Sequence, residues 1–174
     1  MLKPVSSQEE LTYLSSFISK MIKAKFGKGP EACSVTIGKD LLFVHVRKFI
    51  TPSETVLLEK NKKVLAQNYR SVIMETVFEE CRSEIFRVIG YRTKSFLHDW
   101  DYENNTGLLM MFMEKTSSAR VTELDRAFYD RFLYISSRIH KIPESVSYSN
   151  ISANLMIVYC RGMLLPIEKV LYEK

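Results

Sequence analysis

Glycine and proline are scarce in this sequence, 6 and 5 of 174 residues, which excludes a collagen-like or low-complexity chain. Cysteine is scarcer still. Cys33, Cys81 and Cys160 are odd in number and far apart, so they suit neither a disulfide framework nor a metal-ligand pattern and read as buried thiols of a reducing compartment. Long apolar runs are missing. The most apolar stretch, Leu108 to Met113, is far too short to span a bilayer, and the residues after Met1 form no signal-peptide pattern. The expectation is a soluble, cytoplasmic protein with no direct membrane insertion. His45, His98 and His140 fall in unrelated segments, and no Gly-x-Ser-x-Gly or Cys–His spacing occurs. These gaps point away from an enzyme, a bound metal or a cofactor.

What is present is an ordinary globular composition, 46% hydrophobic and 26% charged, long enough to bury a core without staples. The net charge of +5 and pI of about 9.0 are mildly basic. They permit weak attraction to nucleic acid or anionic lipid without demanding it. Lysines cluster at Lys20, Lys23, Lys25 and Lys28 and again at Lys60, Lys62 and Lys63, a pattern that first reads as a solvated helix face.

Along the chain, Ser7 and Glu10 stand at capping-box spacing, and Leu11, Leu14, Ile18, Met21 and Ile22 then mark one face of a helix. That helix stops at Gly27, Gly29 and Pro30. Cys33, Val35 and Ile37 alternate with polar residues, Gly38 to Asp40 suit a tight turn, and Leu42, Val44 and Val46 alternate with Phe43, His45 and Arg47. This is a β-hairpin. Thr51, Pro52 and Glu54 start a second helix, whose pattern runs through Leu65, Tyr69, Ile73, Val77, Cys81, Ile85 and Val88 to Gly90. It reads either as one very long helix or as a helix broken near Lys60 to Lys63, and the unbroken form is the expectation. Thr93 to Leu97 and Leu108 to Met113 form a second hairpin, with Asp99 to Asn105 as its loop. Its second strand is apolar on both faces, as a central strand would be.

After a polar linker at Lys115 to Arg120 the pattern restarts. Leu124, Phe128, Phe132, Ile135 and Ile139 form a helix face, and Pro143 and Glu144 echo Pro30 and Glu31. From Asp40 onward the two halves align without gaps at an offset of 114 residues. Leu41, Val44, Arg47, Pro52, Glu54, Val56, Leu57, Glu59 and Lys60 match Leu155, Val158, Arg161, Pro166, Glu168, Val170, Leu171, Glu173 and Lys174. An internal repeat is the most specific signal in the chain. The expected fold is α+β, with antiparallel hairpins packed against helices. Residues 1–115 would form a complete α-β-β-α-β-β unit and residues 116–174 a truncated second unit. A half-unit cannot bury its own apolar face, so the second should dock on the first as an intrachain pseudo-dimer or complete a homodimer.

The order Phe26-Gly27-Lys28-Gly29-Pro30, Asp40-Leu41-Leu42, Thr51-Pro52-x-Glu54, a long helix and Phe96-Leu97-x-Asp99 resembles the MpsC-like family of small bacterial proteins. That family is named for a sodium-translocating, membrane-potential-generating system linked to bicarbonate uptake. The resemblance covers nearly all of the first copy and the first half of the pattern in the second. Lys48 departs from the family's usual glycine, which Gly162 keeps. The resemblance implies a link to bacterial ion or inorganic-carbon transport and brings no catalytic residue with it.

Four groups of residues are candidate sites. His98, Asp99, Asp101 and Glu103 could gather a divalent ion, or the aspartates could cap a turn. Neighbours on a strand point apart, which weakens the metal reading. Phe26 to Pro30 could form an anion nest or simply end a helix. Arg47 and Arg161, beside His45 and Tyr159, could clamp a carboxylate or phosphate or serve a structural ion pair. Phe43, His45, Arg47 and Phe49 would share one face of an RNA-binding sheet, though no known RNA-binding motif accompanies them. The expected role is that of a non-catalytic accessory or regulatory protein acting through protein contacts, with a membrane transport component as partner. A nucleic-acid-binding regulator and a small-anion sensor at Arg47, Arg161 and His45 are the alternatives.

Overall fold

In the computed structural model, which describes residues 7–38, 41–114, 126–152, 155–165 and 168, ten elements follow one another. They fall into two compact units, Met1–Ser117 and Ser118–Lys174. The class is α+β, with antiparallel sheets and one long helix.

The first unit opens with α1 (Gln8–Phe26). Ser7 accepts from the Glu10 N–H at 3.2 Å, and the Glu10 carboxylate accepts from the Ser7 N–H at 2.9 Å, so the capping box is closed. Gly27 ends the helix at φ 74°, a left-handed conformation that glycine adopts without penalty, and donates to the Lys23 carbonyl. The Phe26 to Pro30 segment is therefore a helix stop. β1 (Ala32–Ile37) and β2 (Leu41–Arg47) pair antiparallel as expected.

The helix after Thr51 is not continuous, which corrects the expectation. It divides into α2 (Pro52–Glu59) and α3 (Lys63–Ile89). Asn61 takes φ 55°, and the Lys60 and Lys62 N–H groups turn back onto the Val56 and Leu57 carbonyls. Asparagine tolerates this left-handed step and lysines pack little against a helix, so the break costs least here. α3 alone has 27 residues, about 40 Å at 1.5 Å per residue.

β3 (Thr93–Asp101) and β4 (Thr106–Met113) complete a sheet of order β1-β2-β4-β3. Here too the sequence reading needs correction: His98 to Asp101 are strand, and the loop shrinks to Tyr102–Asn105. The ladder is carried on by Trp100, which pairs with Gly107 and lays its ring where a Gly107 Cβ would sit, 2.0 Å from the ring carbon Cε3. β4 is central, as its two apolar faces required. Leu14, Ile18 and Ile22 of α1 and Met74, Val77, Cys81 and Ile85 of α3 meet Leu42, Val44, Val46, Leu109 and Met111 in one core. Full burial of such a side chain is worth roughly 1.5–3 kcal/mol.

The second unit has α4 (Arg126–Ile139), β5 (Ser145–Ser152) and β6 (Leu155–Arg161), the two strands forming an antiparallel ribbon. β6 occupies the residues of β2 at the 114-residue offset. Lys48 and Gly162, one offset apart, both follow their strand in the left-handed region, at φ 53° and 70°. Along α4, the face marked by Phe128, Ile135 and Ile139 is not buried; these residues are 39, 46 and 79% exposed. The linker at Lys115 to Arg120, Leu124, and the repeat positions Pro166, Val170, Leu171, Glu173 and Lys174 lie outside the described residues.

Candidate functional site

The most unusual chemistry in the first unit is a cation inside its core. α3 presents Ala66, Arg70, Met74 and Val77 on its buried side, and Arg70 is only 1% exposed. Its guanidinium donates to both carboxylate oxygens of Glu54 and, at 2.7 Å, to the Phe49 carbonyl. Glu54 is itself 0% exposed. The same carboxylate accepts from the Thr51 N–H and hydroxyl at 2.9 and 2.8 Å. One acid thus closes the α2 capping box and neutralises the buried arginine, which gives a physical reason for α2 to turn away from the α3 axis.

Aromatic rings wall the guanidinium. Its central carbon lies 4.1 Å from the Trp100 ring centroid, 4.7 Å from Phe49, 5.3 Å from Tyr102 and 5.9 Å from Phe26. Such faces attract a cation, more so when it is desolvated. The rings continue outward from the box. Phe49 meets Phe26, Phe26 meets Tyr69 near the surface, and Trp100, His98, Phe96 and Phe78 follow in steps of 4.4 to 6.2 Å. The gap bounded by Phe49, Arg70, Trp100, Tyr102 and Asn105 is too narrow for a water molecule. The box is therefore full: its own arginine is the cation it holds. Burial raises the pKa of the Tyr102 hydroxyl, and the neighbouring Arg70 charge opposes the rise.

The predicted loop site resolves into separate roles. The His98 Nδ1 accepts from the Trp100 indole N–H at 2.9 Å, which requires that nitrogen to be unprotonated. Desolvation first, and then the positive charge of Arg70, hold the His98 pKa below its ordinary value. Asp99 follows on the opposite strand face and caps the Trp100 N–H. Asp101 accepts from the Glu103 and Asn104 N–H groups and the Asn104 amide, and the Asn104 bonds hold its pKa down. Among the described residues no His, Cys, Asp or Glu group could hold a metal. Asp101 caps the Tyr102–Asn105 turn, while Asp99 bonds its neighbour's N–H within the strand.

Arg47 and Arg161 are exposed ends of β2 and β6, each in its own unit. His45 is occupied by Thr106, its Nε2 2.8 Å from the hydroxyl. The expected aromatic sheet face does not form. Phe43 is 2% exposed, and the left-handed Lys48 reverses the alternation so that Phe49 joins the helix-side core. Several basic groups are engaged: Lys25 with Glu80, Lys28 with the Ile50 carbonyl, and Lys48 with Glu31. Arg70 escaped the sequence reading, although its signal was there. A charged residue at i+4 from Ala66 and i−4 from Met74 stands on an apolar face.

One surface of α3 stays apolar. Leu65, Tyr69 and Val72 are 54, 37 and 66% exposed at i, i+4 and i+7, with Val64 beside them. Among the described residues, no helix is long and apolar enough to cross a membrane.

Residues 8–115 match the family described as "Na+-translocating membrane potential-generating system (MpsC)". The chain is also similar to the uncharacterised protein YbcI of Bacillus subtilis (strain 168), 26% identical over 99 residues that cover 56% of this chain and 78% of that protein. No solved structure matches. With its whole first unit from α1 to the end of β4 inside the family match, the chain belongs to the MpsC family.

Proposed function

We propose that this protein is a non-catalytic accessory component of a Na+-translocating, membrane-potential-generating system, and that it works by docking on a protein partner through α3. The observation that carries this reading is the exposed row Leu65, Tyr69 and Val72. Apolar side chains at i, i+4 and i+7 are the anchors a helix offers to a hydrophobic groove, and a contiguous patch of this kind commonly marks an interaction site. The row stands on a rigid base. Tyr69 packs edge-on to Phe26, whose ring in turn lines the arginine box. Membership of the family supports the choice of system, and the exposed row supports the choice of contact.

A photo-crosslinking amino acid at Val72, introduced in growing cells, tests this. The expected result is a crosslink to a membrane component of the Na+-translocating system, lost in the Leu65→Glu variant with the fold intact, together with a lowered Na+-dependent membrane potential. An unchanged membrane potential in cells lacking the protein, or crosslinks only to unrelated proteins, refutes it.

A further inference from the structure

We propose that β6 is an interface strand, and that two copies of the chain pair antiparallel through their β6 edges about a two-fold axis at Val158. This rests on the second unit and is independent of the α3 docking row.

β2 shows what this strand pattern requires. It is held on both edges, and Leu42, Val44 and Val46 stand opposite Met111, Leu109 and Gly107 of β4. β6 places Met156, Val158 and Cys160 at the same positions, yet among the described residues only β5 pairs with it. The Arg161 carbonyl turns toward β5 and accepts from the Glu144 N–H at 2.9 Å. Backbone direction alternates along a strand, so the groups of Met156, Val158 and Cys160 face the other edge. That edge carries none of the usual protections: no proline, no central lysine and no acid. The register shift lies on β5, between Asn150 and Ser152, and leaves β6 straight. Leu155 and Ile157 on one face and Met156, Val158 and Cys160 on the other give β6 the composition of an interior strand. A two-stranded ribbon is marginal by itself.

A second copy fits because the edge complements itself. With the axis at Val158, Val158 faces its twin, Met156 faces Cys160, and Leu155 faces Arg161. The two arginines then lie about 20 Å apart at 3.4 Å per residue, so like charges never meet. The result is an antiparallel four-stranded sheet of order β5-β6-β6-β5, the strand count of the first unit. An axis perpendicular to that sheet leaves both α4 helices on the same side. A strand edge alone falls short of the roughly 1,200 Å² that stable interfaces bury. The same unit also exposes Phe128, Ile135 and Ile139 of α4, and the proposed dimer would draw the further area from such apolar surface.

Light scattering on the full chain under reducing conditions is the first measurement, with twice the 20.3 kDa chain mass expected. Val158→Pro removes an N–H that the β5 ladder does not use. It should keep the circular dichroism spectrum and weaken the dimer by at least about tenfold. Should that variant fail to fold, crosslinking decides. Facing Cα atoms of a hydrogen-bonded antiparallel pair are about 5.5 Å apart, within disulfide range. Val158→Cys in a Cys160→Ser background should therefore oxidise mostly to a covalent dimer, while Val56→Cys in the same background should not. A monomer at all accessible concentrations overturns the proposal. So does a dimer that Val158→Cys fails to crosslink and Val158→Pro leaves intact.

Discussion

Replacing Arg70 with methionine tests the reading of the box as the lock of the first unit. The substitution keeps much of the volume and removes the charge. Glu54, 0% exposed, then keeps two hydrogen bonds from Thr51 but loses its counter-ion. Breaking a buried pair from one side costs about 3–5 kcal/mol, because the remaining charge is uncompensated. At roughly 2–4 °C per kcal/mol for a chain of this size, the melting temperature falls by about 6–20 °C. Trp100 is the single tryptophan, and its ring centroid lies 4.1 Å from the guanidinium carbon, so tryptophan fluorescence follows the melt at the site itself. Adding Glu54→Gln should recover part of the loss, since an amide is cheaper to bury than an unpaired carboxylate. An Arg70→Met melting temperature within about 2 °C of the parent refutes the reasoning, as does a double variant no better than Arg70→Met.

Gly107→Ala should destabilise by about 1–3 kcal/mol in urea unfolding, because its Cβ would fall 2.0 Å from the Trp100 ring carbon and a central strand cannot yield freely. Lys48→Gly should raise stability by a few tenths to about 1 kcal/mol, since the φ of 53° favours glycine and the lost ion pair with Glu31 is exposed. Thiol titration of the native chain at pH 8 should leave Cys81 unmodified until unfolding. Burial pushes its pKa up to about 12, with Glu80 adding to the rise, so the reactive thiolate is rare.

The elements that could be read directly from the sequence are those whose signals are local. Ser7 with Glu10 and Thr51 with Glu54 both form the capping boxes their spacing announced. Alternation at Val35, Val44 and Val46 gave the first hairpin, and the two-faced apolar run at Leu108 to Met113 gave the central strand. What escaped depends on contacts far apart in the chain. The sequence located a possible helix break near Lys60 to Lys63 without deciding for it, because the deciding contact joins Glu54 to Arg70, sixteen residues on. The extension of β3 to Asp101 follows from Trp100 lying across Gly107. His98 and Asp99 looked like a site because they are adjacent, and strand geometry sends them to opposite faces. The apolar positions Ala66 and Met74 on either side mark Arg70 as facing inward, but no local signal names Glu54 or the rings that enclose it, so the box as a whole became visible only in three dimensions.

The capping acids of the two units carry the comparison one step further. Glu54 and Glu168 are one offset apart, and each accepts from the backbone N–H three residues earlier, Thr51 at 2.9 Å and Leu165 at 2.7 Å. Their side-chain partners differ. Glu54 holds a permanently charged arginine in the core, whereas Glu168 takes His140 at 3.0 Å with both side chains about one-third exposed. The Leu165 bond first, then His140, depresses the Glu168 pKa, but an exposed pair adds little to stability. Among the described residues, then, the second unit repeats the cap with a part-exposed pair in place of the buried one. β6 pairs there only with β5, whereas β2 is held by both β1 and β4. The proposed dimer would give β6 the second neighbour that β2 has, and its self-complementary edge favours a second copy over an unrelated protein as the occupant.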